Sequence, residues 1–169
     1  MSKTNTARNK YRPEQVKLLF IAEAPPCSDD RFFYFEEVPK GDSLFLHIIR
    51  EVFPETREWE TKVVRARKEE LLLRFMEEGY FLEDAVSIAI PKGTSINQKI
   101  SMIKDHQQDL FRRLMPYKEV PMVLLSATVF KANHEFLKQH FSILNKKAIP
   151  FPGSGQQGNF IREFRDLEL

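Results

Sequence analysis

Lys17-Leu18-Leu19-Phe20-Ile21-Ala22-Glu23-Ala24-Pro25-Pro26 decides how the rest of the chain is read. Leu18 to Ala22 is an unbroken apolar run, the pattern of a short strand buried on both faces. It ends abruptly in a carboxylate, two prolines and the polar turn Ser28-Asp29-Asp30. In open α/β sheets, ligands bind in the crevice beyond the carboxyl ends of strands. On its own, Pro25-Pro26 does no more than stop a strand, so the loops that follow carry the argument.

Around this strand the pattern alternates. After the loop Glu23 to Lys40, with its four consecutive aromatics Phe32 to Phe35, the turn Gly41-Asp42-Ser43 opens a helix over Leu44 to Phe53. Residues Thr61 to Gly79 are again helical. Val64, Leu71, Leu72, Phe75 and Met76 form the buried side, and Lys62, Arg65, Arg67, Lys68 and Arg74 the wet side. Phe81 to Ile90 reads as a second strand, although Glu83 and Asp84 within it need partners. A helix from Ser95 or Asn97 to about Met115 follows, then a strand at Val123 to Ser126 and a helix over Ala127 to Phe141. Ser142 to Ile149 holds a fourth short strand. The glycine-rich segment Pro150 to Asn159 precedes a last amphipathic helix, Phe160 to Leu167. With right-handed crossovers this order predicts a three-layer α/β/α sandwich on a four-stranded, mainly parallel sheet.

Composition narrows the rest. In 169 residues with 42% apolar content, one domain over residues 14–169 is expected. Met1 to Pro13, polar and basic with almost nothing to bury, reads as a flexible tail. The net charge of +2 does not mark a polycationic nucleic-acid binder. A single cysteine, Cys27, excludes an intrachain disulfide or a cluster held by this chain's own thiolates. Beside no histidine, it reads as a buried, inert thiol. Four scattered histidines lack metal-ligand spacing, so neither metal nor cofactor is expected. No apolar run approaches the ~18 residues of a membrane span. These features predict a monomeric cytoplasmic protein with no membrane partner.

Three strand-end loops in this order resemble those of the uracil-DNA glycosylase superfamily, over roughly Lys17 to Leu167. Ile21-Ala22-Glu23-Ala24-Pro25-Pro26 is similar to the first catalytic motif in its Gly-Glu-Ala-Pro-Gly form. Phe35, followed by Gly41 and a helix, stands where that branch has its base-stacking Phe. Val123 to Ala127 resembles the strand before the penultimate helix. Pro150 to Asn159 lies where the family has His-Pro-Ser and its DNA-penetrating loop.

The resemblance implies a protein that hydrolyses the N-glycosidic bond of a damaged base such as uracil, flipped out of single- or double-stranded DNA. The alternative is a weak or inactive module of the same fold that binds a nucleobase or nucleic acid. It implies Glu23, with Asp29 or Asp30, for water or the sugar cation. Ala24, Pro25, Phe33 or Phe35, and Asp84 are implied around the base, and Phe151, Pro152, Gly153, Ser154 and Gly155 in the DNA or phosphate loop. Two departures stand out. Ala24 replaces an activating Asp found in many members, and Phe151 replaces the histidine that donates to the departing base.

Overall fold

A computed structural model describes residues 2–28, 30–153 and 155–169. The run Leu18–Ala22 forms β1, and all five of its residues are buried. It is the middle strand of a parallel sheet ordered β2-β1-β3, with β2 at Tyr80–Asp84 and β3 at Met122–Leu124. A central parallel strand has neighbours on both edges and helices on both faces, hence the continuous apolar run.

Helix α1 covers Lys3–Lys10 and α2 covers Ser43–Val52. The long helical stretch expected over Thr61 to Gly79 is two helices, α3 at Thr61–Ala66 and α4 at Lys68–Glu77, broken at Arg67. Gly79, at φ +82°, closes α4 and turns the chain into β2; its carbonyl accepts from the Lys17 and Leu18 amides. Beyond β2 come α5, Ile96–Asp105, started by a Ser95/Gln98 capping box, and α6, Gln107–Leu114. Helix α7, Ala127–Leu137, follows β3, and α8 spans Gln157–Arg165.

The crossovers β1→β2 and β2→β3 run in opposite directions across the sheet, so right-handedness sends their helices to opposite faces. On one face Phe20 of β1 stacks with Phe75 of α4 at 6.0 Å and Phe164 of α8 at 5.9 Å. Helix α5 packs against α7, and α2 against α8. The α/β class therefore holds.

Three expectations do not. The fourth strand is reduced to two isolated bridges, Met122 with Ile143 and Leu125 with Ile149. Between them the Asn145 side chain takes the place of a main-chain partner. Its Oδ1 accepts from the Leu124 amide at 2.9 Å and its Nδ2 donates to the Leu124 carbonyl at 3.1 Å. The ladder is satisfied, but the backbone at 145 is displaced from it. The second strand stops at Asp84 rather than Ile90, although the Ala85 and Val86 amides still donate to the Ala22 and Glu23 carbonyls. The polar segment before Pro13 is the helix α1, docked by charge. Arg8 is 5% exposed and pairs with both Glu83 and Asp84, and Tyr11 is fully buried against Tyr34.

Candidate functional site

The loops after β1, β2 and β3, together with the segment before α8, surround one cavity of about 730 Å³ at the carboxyl edge of the sheet. Glu23, Ala24 and Pro25 line it, as do Phe33, Asp84, Phe151 and Gly153. Parallel strands end on one side of the sheet, so loops distant in sequence must meet there.

Glu23 follows the last residue of β1 and is partly exposed to the cavity. Its Oε1 accepts from Lys99 Nζ of α5 at 2.9 Å, and its Oε2 accepts from the Thr128 hydroxyl at the start of α7. Because Thr128 gives its one hydroxyl proton to Glu23, the 2.9 Å contact with Ser126 is a donation from the Ser126 hydroxyl. Ser126 in turn accepts from the Val129 amide and caps α7. A directed chain, Ser126 to Thr128 to Glu23, thus ends on a carboxylate that also holds a lysine. Lys99, Ser126 and Lys92 line the cavity. Neither Lys99 nor Thr128 carries a sequence signal: one is a helix lysine among many, the other a threonine inside an apolar helix.

The other expected residues divide. Phe33 borders the cavity but is only 7% exposed, its ring set against Tyr34, Phe45 and Phe75 at 4.9 to 5.5 Å. Phe35 does not line the cavity. It is buried edge-on to Phe32 at 5.4 Å, with the Lys3 ammonium 4.8 Å from its ring. It belongs to the seat of α1, which sequence patterning had treated as a tail.

Asp84 borders the cavity, but its carboxylate is turned to Arg8, and the residue is 2% exposed. Burial lifts its pKa to about 7, against the opposing pull of the Arg8 guanidinium. Beside it, Glu83 pairs with Arg8 and with Arg113, both at 3.2 Å. Asp30 is exposed and away from the cavity wall, its pKa lowered mainly by a hydrogen bond from Ser28. Pro152 is buried and, like Gly155, is not part of the lining. Asp29 and Ser154 lie outside the described residues. Cys27 is exposed rather than buried; it lines the cavity and its thiol donates to the Ile90 carbonyl at 2.9 Å.

A lining that combines apolar rings with a carboxylate–ammonium pair gives a cavity suited to a planar, polar-edged ligand. Among the described residues no group of three or more His, Cys, Asp or Glu stands together as a metal site, and no helix is long and apolar enough to cross a membrane. No protein-family model, curated protein or solved structure matches this chain.

Proposed function

We propose that this cavity receives a nucleobase turned out of DNA, of the uracil class, and that the protein hydrolyses its N-glycosidic bond slowly. The observation that carries the reading is the meeting of Glu23 and Phe33, from the loop after β1, with Phe151 and Gly153, from the segment before α8, around one cavity. An oxocarbenium-like sugar is stabilised by a fixed carboxylate, and Glu23 is held in place by two donors. Lys99 keeps an ammonium at the same wall, where it can offer a proton donor to a departing base anion.

The test is to incubate the purified protein with oligonucleotides carrying uracil, hypoxanthine or xanthine and to assay abasic sites. Slow excision of one of them is expected. Loss of one such donor or charge costs ~10²–10³ in rate. Glu23→Ala should lower excision by about that factor, and Phe151→His should raise it by restoring a donor. Robust excision unaffected by Glu23→Ala would place the chemistry elsewhere.

A second reading, a binding module of the same fold, is supported by Phe151 itself. A phenyl ring cannot donate to a leaving group, and both Glu23 oxygens are already engaged. Binding of uracil or single-stranded DNA without any excision, in the native protein and in Phe151→His alike, would favour it.

A further inference from the structure

We propose that Phe151, and neither Phe33 nor Phe35, is the aromatic surface on which the planar base stacks, so that the ring standing in the donor's position works as a plate. The inference rests on the nucleobase reading of the cavity and specifies how the base is held.

Every other phenyl ring at this cavity is already occupied. Phe33 packs against three rings. Phe45 is 1% exposed, with the Lys68 ammonium 4.3 Å from its ring. Phe32 is 5% exposed, with the Arg8 guanidinium 5.3 Å from its own. Phe151 is 50% exposed while lining the cavity, and no ring or cation among the described residues lies over it.

The backbone presents this ring with some precision. Two residues before Phe151, Ile149 bridges to Leu125 at the end of β3. Beyond it, the Gln156 amide donates to the Gly153 carbonyl at 3.1 Å and leads into α8. A Cβ at Gly153 would stand 2.9 Å from Phe151 Cε1 and 3.1 Å from Cδ1. The ring therefore leans on the bare backbone of Gly153, and a side chain there would push it away. An exposed apolar ring held over a cavity with a carboxylate and an ammonium matches a nucleobase, whose faces stack and whose edges hydrogen-bond.

The experiment titrates uracil, uridine and a uracil-containing single-stranded oligonucleotide into the native protein and into Phe151→Leu, Phe151→Tyr, Gly153→Ala and Phe35→Leu. Stacking is worth enough that Phe151→Leu should weaken binding by about tenfold or more. Its melting temperature should be unchanged, because the residue is half exposed. Phe151→Tyr should bind as the native protein does, and Gly153→Ala should weaken binding by displacing the ring. Phe35→Leu should lower the melting temperature and leave affinity intact. Native-like affinity in Phe151→Leu overturns the plate and leaves the cavity reading standing. Failure of the native protein to bind any of the three ligands overturns the cavity reading and this inference with it.

Discussion

Ser126 holds the least comfortable backbone in the site, at φ 78° and ψ 147°. That region is almost reserved for glycine and costs a residue with a Cβ roughly 1–3 kcal/mol. The strain is offset by what the hydroxyl does, capping α7 and donating to Thr128. Replacing a serine cap by glycine costs only a few tenths of a kcal/mol, and by alanine about 0.5–2 kcal/mol. Ser126→Gly should therefore stabilise the protein by about 1 kcal/mol or more, while Ser126→Ala keeps the strain, loses the cap and destabilises. Urea unfolding of the two variants checks this; a loss of stability in both would show that the backbone is not strained there. The opposite signs follow from φ, which residue type alone does not reveal.

At the scale of the element, α4 illustrates how a helix pattern can mislead about a single position. Lys68 was expected on the wet side with Arg67 and Arg74, yet it is 1% exposed. Its ammonium donates to the Phe32 carbonyl at 3.3 Å, and Asp42, chelated by Arg65, is the nearby carboxylate. Burial lowers the Lys68 pKa from 10.5 to about 8, with Asp42 opposing and Arg65 assisting. The folded state thus binds fewer protons than the unfolded one between those values. Stability should rise as pH climbs from about 8 to 10.5, by a contribution of order 3 kcal/mol, and stay flat in this respect below 8. Lys68→Met should abolish that rise, and melting temperatures at pH 7.5 and 10 measure it. An unchanged slope in the variant would assign the titration to another group.

Across the whole molecule, α1 is fastened by buried charge. It presents Arg8 to Glu83 and Asp84 at the end of β2, where Arg113 also caps the Asp84 and Ala85 carbonyls. Removing one partner of a buried ionic group costs about 3–5 kcal/mol, because the other charge is left unpaired. Arg8→Ala should incur a loss of that order, where trimming a free tail would incur none. Without Arg8, Asp84 rises above its present value of about 7, so the folded variant binds extra protons. Its deficit should narrow as pH falls towards about 7 and stay level below that, where Asp84 is protonated in both folded proteins. Denaturant titrations at pH 9 and 7 test both statements, and a deficit that does not change between them would remove Asp84 from the explanation.

The amino-acid sequence by itself determined the α/β class and the principal elements, though neither α1 nor the reduction of the sheet to three strands. The five-residue run of β1, the helical spacing of α2, α4 and α8, and the alternation that forces parallel pairing all depend on residues within a few positions of one another. It also determined which loops gather at the carboxyl edge, since parallel strands leave them no other side. Tertiary structure alone decided which side chains meet there. Lys99 and Thr128 reach Glu23 across 76 and 105 residues, and Arg8 reaches Asp84 across 76. A polar side chain's partner is chosen by the packing of whole elements, and no local periodicity records that choice. For the same reason Phe35 became part of the seat of α1 while Phe151 remained at the cavity: two phenylalanines in two loops look alike until a helix docks on one of them.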